Sequence, residues 1–211
     1  MQKKILEFGG VAAGIILIAF GVAAIVLGFQ GKNTVVSSLK EQQIVGTPDM
    51  TPKSIADEAK SAGLPAGIKL PTCTVANLPV NSGSRARCFA DYMRIHAYEA
   101  TGGQTYATMP RYATQDGKGT NDATKALQQN GRPVDNVARN VWVTETALST
   151  ALNVSYMADQ LGNFGIVVGI ALLLSGFGFV ILAVGGALRA GSWLFAPKAR
   201  TAATMTTPVK A

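Results

Sequence analysis

Two stretches of this chain carry no charged residue. From Phe8 to Gly31 there are 24 consecutive positions without Asp, Glu, Lys or Arg, and from Gln160 to Leu188 there are 29 more. A helix of about 20 apolar residues matches the hydrocarbon thickness of a bilayer, so each stretch is long enough to span one. Charged residues make up 15% of the 211 positions, against roughly 25% in an average soluble domain, and the deficit is concentrated in these two places. That argues against a soluble enzyme, a collagenous or disordered chain, and a disulfide-dense secreted module.

The first span is expected at residues 8–30 and the second at 161–188. Lys3, Lys4 and the Val22-Ala23-Ala24 segment also allow a secretory signal peptide. The apolar run continues past that cleavage-like site, further than the usual 7 to 15 or so residues, which favours a retained anchor. The second span has no such rival. Outside the spans, the end segments carry Lys3, Lys4, Arg189, Lys198, Arg200 and Lys210 against one acid, Glu7. Residues 32–159 carry 13 basic and 11 acidic residues. Positive residues near span ends stay in the cytoplasm. The expected topology is a multi-pass plasma-membrane protein with both termini cytoplasmic: an N-terminus at 1–7, an extracytoplasmic domain at 31–160 and a tail at 189–211. The net charge of +7 then reads as an orientation signal, and no nucleic-acid partner is expected. The two cysteines, Cys73 and Cys88, both fall in the outer segment, where an oxidising environment lets a disulfide persist; a reactive free thiol is the alternative.

Small residues in the spans are periodic. Gly14, Gly21 and Gly28 recur every seven positions in the first, and Gly162, Gly169 and Gly176, followed by Ala183, do so in the second. A seven-residue period keeps one face of a left-handed supercoiled helix in register, and small residues let helix backbones approach in lipid. Antiparallel packing with a crossing angle near +20° is expected. Ala171, Gly178 and Gly185 form a second small face that is left for another partner. Glycine is also simply common in membrane helices, which is the plainer reading of the same residues.

Between the spans, Lys32 to Ile44 can prolong the first helix until Gly46, Pro48 and Pro52 break it. Ser54 to Ala62 reads as a short helix ending at Gly63, and Pro71 to Ser84 as loop or irregular strand. Ser84 can cap a helix through Arg85 to Ala100, ended by Gly102-Gly103. On it Phe89, Tyr92, Met93, His96 and Ala100 share a face that reads as a packing face. Gln104 to Pro133 is polar and reads as a mobile loop or insert. From Val134 a stalk helix is expected through residue 160, with Val137, Val141, Leu148, Leu152 and Tyr156 as its apolar stripe, running unbroken into the second span. The expected fold class is a membrane all-α protein: a two-transmembrane-helix hairpin with a small, mainly helical extracytoplasmic domain.

The supply of catalytic residues is thin. With one histidine, His96, a three-histidine zinc site cannot be built within the chain. There is no Gly-x-Ser-x-Gly elbow, phosphate loop or dinucleotide fingerprint. Gly117-Lys118-Gly119-Thr120 lacks the preceding glycine and strand of a phosphate loop. Of the acids near His96, Glu99 is placed to touch the ring on a helix, whereas Asp91 is not. Neither span contains an ionisable residue that could carry protons or select ions. No catalytic residue, metal or cofactor is expected.

Ile95-His-Ala-Tyr-Glu-Ala-Thr-Gly-Gly-Gln-Thr-Tyr-Ala107, Met109-Pro-Arg111, the run from Ala138 to Leu152 and the glycine-rich second span resemble a group of small actinobacterial membrane proteins with one span near each end. Members are often labelled aromatic ring-opening dioxygenases. The resemblance covers about half of the chain and implies the two-span topology and an actinobacterial envelope. Non-haem iron oxygenases use two histidines and a carboxylate, so no catalytic residue transfers to a chain with one histidine. The polar insert from Gln115 to Arg132 is a departure from the group.

The function expected from these features is a non-enzymatic accessory or scaffolding subunit of a larger membrane assembly, a respiratory-chain complex being one class of host. Its partners would be the lipid bilayer and other integral membrane subunits. The alternative is an extracytoplasmic ligand-binding or sensing module whose pocket uses Tyr92, His96 and Tyr106. Pro197 to Ala211 read as a disordered Thr- and Ala-rich tail, preceded by the interfacial anchors Trp193 and Phe195.

Overall fold

A computed structural model describes residues 2–185. The expectations for the tail, its Trp193 and Phe195 anchors and the basic residues from Arg189 onward lie outside the described residues. The protein is mainly helical: α1 spans Gln2–Glu41, α2 Pro52–Ser61, α3 Gly83–Ala100 and α4 Arg139–Val184. The strands are two-residue β1 (Gln128–Gln129) and β2 (Arg132–Pro133), an antiparallel hairpin with Gln128 opposite Pro133.

The described chain divides into two compact units, residues 2–26 with 166–185 and residues 27–165. In the first, α1 and α4 pack against each other along glycines. A Cβ added at Gly14 would lie 2.7 Å from the Gly176 carbonyl oxygen, and one at Gly21 2.8 Å from that of Gly169. Cβ atoms do not tolerate such distances, so only glycine allows these backbones to touch, and close Cα–H to carbonyl contacts of this kind help hold helix pairs. The remainder of the surface is apolar and exposed, including Phe8 at 78%, Phe20 at 64%, Leu174 at 69% and Phe177 at 53%. In the most apolar windows of α1 and α4 only 11% and 17% is buried. Their apolar side chains therefore face outward rather than into a core formed by the described residues. Both are long and apolar enough to cross a membrane.

The second unit is a small helical domain with a main core and a smaller cluster of Ala97, Met109 and Trp142. Val35 and Leu39 of α1, Ile55 and Ala59 of α2, Phe89, Tyr92 and Ile95 of α3, and Leu152 of α4 are buried together with Met50, Val75 and Val80 from the intervening loops. The Thr51 side chain caps α2 by accepting from Ser54 N–H, and Pro52 occupies the first turn, where its missing N–H costs nothing. Helix α3 begins earlier than its sequence suggests: Ser82, not Ser84, is the cap, accepting from Arg85 N–H. Gly83 makes the earlier start possible, because a Cβ there would sit 2.7 Å from Asp159 Cβ and 2.9 Å from Tyr156 Cα. A disulfide joins Cys73 to Cys88 across a separation of 15 residues. Closing a loop of that size stabilises by about 3 kcal/mol on the chain-entropy account.

Two expectations for the outer segment change. Helix α4 starts at Arg139 rather than Val134, because the backbone of 134–135 is occupied elsewhere. Val134 exchanges hydrogen bonds with Ala113 and Leu127, and Asp135 bridges Tyr112. The apolar stripe is kept in part, with Leu152 buried and Val141 and Leu148 packed against buried residues, but it is incomplete. Val137 is 73% exposed, and the buried positions are Trp142, Glu145, Ser149 and Leu152. Two polar residues can lie there because Ser149 Oγ donates to Glu145 Oε1 at 2.6 Å. The polar segment after α3 is tied down by Tyr112 pairing with Thr120 and Asp135 and by the β1–β2 hairpin.

Candidate functional site

Helix α3 carries the only histidine of the chain. Its Cys88, Phe89, Tyr92 and Ile95 face the core, which leaves His96 at the margin with 28% of its side chain exposed. Glu99, one turn on, lies 3.2 Å from Nδ1. On α2, burial of Ile55 and Ala59 sets Glu58 at the edge facing α3. Asp49 comes from the turn before α2, whose next residue, Met50, is 2% exposed and anchors the turn in the core. The Met50 carbonyl accepts from Val75 N–H and Thr74 Oγ1. Asp49 Oδ2 ends 3.6 Å from His96 Nε2.

One donor atom each from Asp49, Glu58 and His96 lies within 4.8 Å of the others, all three side chains being half-buried. Three carboxylates thus converge on one imidazole. Burial, then the negative charges of Asp49 and Glu99, push the Glu58 pKa above the ordinary glutamate range, while His96 pulls the other way. Such a cluster can hold a proton between its members or bind a cation.

The three residues expected to form one binding face are not assembled into one surface. Tyr92 is fully buried, and its hydroxyl donates to the Cys73 carbonyl at 2.6 Å, which ties α3 to the disulfide loop. Burial and the Asp49 charge raise the Tyr92 pKa. His96 lines a mostly apolar cleft of about 420 Å³ with Met93, Val141 and Leu148. Tyr106 lines a different, polar cleft with Arg111, Asp135 and Arg139; there the Arg139 guanidinium stacks 3.9 Å over the Tyr106 ring.

The expected helix-packing glycines are brought together in register: Gly14 with Gly176 and Gly21 with Gly169 in one unit, and Gly28 with Gly162 in the other, where a Cβ on Gly162 would lie 2.9 Å from the Gly28 carbonyl oxygen. Beside this last pair Lys32 Nζ binds Asp159 Oδ1 at 3.0 Å and Asn163 Oδ1 at 2.6 Å. That clamp was not read from the sequence, although lysine and aspartate directly flank the two charge-free stretches. Also unread is Trp142, whose indole N–H donates to the Gln104 carbonyl at 2.8 Å and whose ring meets Tyr98 edge-on at 4.8 Å. It links the loop after α3 to α4.

Compared with known proteins, the chain matches no family model, no curated protein and no solved structure.

Proposed function

We propose that the protein is a two-span integral membrane protein, with both termini cytoplasmic, that acts as a non-enzymatic accessory or scaffolding subunit of a larger membrane assembly in an actinobacterial envelope. The supporting observation is a small-residue face that the glycine pairing of α1 and α4 does not use. Ala171 and Gly185 are exposed, and nothing lies within 4 Å of where a Gly178 Cβ would stand. In lipid, apolar side chains gain little by meeting each other, and helices associate where small residues let backbones approach. One such face holds the pair together and the other is available to a neighbouring helix. Purification in mild detergent, with mass spectrometry of co-purifying proteins, tests this. A defined set of membrane subunits is expected with the wild type and is expected to be lost from Gly178→Leu, whose side chain points away from the α1 contact. Recovery of the wild type as an isolated monomer overturns the reading.

A second reading, an extracytoplasmic binding or sensing module, draws on the cleft of about 420 Å³ between α3 and α4 at Met93, His96, Val141 and Leu148. Tyr92 takes no part in it. Closing the cleft with Val141→Trp separates the two readings: a sensing phenotype is lost, and subunit association is retained.

A further inference from the structure

The turn before α2, α2 itself and α3 meet at ionisable side chains that neither helix packing nor the Gly178 face employs. We propose that Asp49, Glu58 and His96 form a binding site for a divalent metal ion of borderline softness, Zn2+ in the first instance, with Glu99 as the residue that orients the imidazole.

The donor set is one imidazole nitrogen and two carboxylate oxygens, which suits zinc and neighbouring transition ions better than magnesium or calcium. The ring is already aimed. Glu99 Oε2 lies 3.2 Å from His96 Nδ1; with the Nδ1 proton held there, Nε2, 3.6 Å from Asp49 Oδ2, is the nitrogen available to a cation. A carboxylate, a histidine and a metal in that sequence is a common supporting arrangement for metal ligands. Zinc bonds of about 2.1 Å in tetrahedral geometry place ligand atoms about 3.4 Å apart. Nε2 and Asp49 Oδ2 are 3.6 Å apart, and no pair of the three exceeds 4.8 Å. Half-exposed side chains can close that difference by small torsional changes, leaving a fourth position for water. The negative charge converging on Glu58 is what a bound cation neutralises. Because the ligands come from three elements, an ion would tie α2 and its preceding turn to α3, which is itself fastened by the Cys73–Cys88 disulfide and the Tyr92 hydroxyl.

The test uses the full-length protein in detergent, purified through a histidine-free tag and stripped with a chelator. Zn2+ is added in a calorimetric titration, and Co2+ in parallel for its visible absorption. Saturable binding of a single ion per chain is expected, with a rise in Tm. Asp49→Asn, Glu58→Gln and His96→Ala should each abolish it, and Glu99→Gln should weaken it by about 10–100-fold, as loss of an orienting partner does. Glu58→Gln is decisive, being isosteric and only partly buried, and an unchanged circular dichroism spectrum shows it folded. His96 also gives a single set of imidazole NMR signals. A wild type without saturable binding, or binding unaltered in Glu58→Gln, overturns the proposal. So do His96 imidazole signals that are unmoved by saturating Zn2+.

Discussion

Glu58 is a carboxylate placed where its charge is disfavoured. Its pKa lies above the ordinary value, chiefly through burial and then through Asp49 and Glu99. The folded state therefore holds the Glu58 proton more tightly than the unfolded chain does. By linkage, this favours folding at acid pH, and the benefit is lost as pH rises from the ordinary glutamate value through the raised one. Removing the charge should reverse the loss. In chelator, Glu58→Gln is expected to be more stable than the wild type at neutral pH, and its Tm is expected to vary less between about pH 4 and about pH 8. Tm measurements across that range check this, and a variant less stable at neutral pH would show that the charge is welcome there. Of the three carboxylates around the imidazole, only Glu99 is legible in sequence, because residues three apart on a helix are neighbours. Asp49 and Glu58 reach His96 through tertiary packing of Met50, Ile55 and Ile95, so no spacing rule finds them. The sequence expectation of no metal rested on the histidine count alone, and carboxylates from other elements were outside its reach.

At the scale of elements, the helix pair shows which patterns survive translation from sequence to structure. Glycines seven apart pointed to helix faces because the period is a property of the supercoil itself, visible without knowing the partner. The stripe on α4 was read incompletely for a different reason. It was drawn through apolar residues only, whereas the buried face includes Glu145 and Ser149, which satisfy one another, and Trp142, whose N–H is satisfied by the loop after α3. Two glycines of α1 separate packing from helix propensity. A Cβ at Gly21 meets the Gly169 carbonyl oxygen at 2.8 Å and Leu173 N at 3.0 Å, whereas at Gly31 it meets nothing within 4 Å. Gly21→Ala must move backbone and is expected to destabilise the protein by about 1–3 kcal/mol, the range for overpacking. Gly31→Ala adds a better helix former in open space and is expected to be neutral or stabilising by up to about 1 kcal/mol. Unfolding titrations in mixed micelles measure both. Equal effects would mean that the close approach of α1 and α4 contributes nothing to stability.

For the whole molecule, the decisive pattern is the separation of charge from apolar length. The charge-free stretches and the long, exposed apolar helices coincide, since a backbone crossing lipid must satisfy its own hydrogen bonds and can do so as a helix without outside help. Which side the intervening domain occupies depends on six basic residues at the chain ends, four of them beyond the described segment, and on a disulfide that requires an oxidising compartment. Both are grounds for the proposed extracytoplasmic placement, and the disulfide makes that placement testable without interference. Among the described residues no free thiol competes for label, and the chain has no cysteine other than Cys73 and Cys88. Lys118 is exposed on the polar segment after α3, so Lys118→Cys offers a single reactive sulfur away from the core, the helix pair and the Asp49–Glu58–His96 cluster. In intact cells it is expected to react with a membrane-impermeant maleimide, and Gln2→Cys only after permeabilisation. The reverse pattern would place the domain in a reducing compartment, where neither the disulfide nor the charge-based orientation could be sustained. Labelling of both sites in intact cells would instead point to an N-terminus released from the cytoplasm, as a cleaved or inverted first span would require.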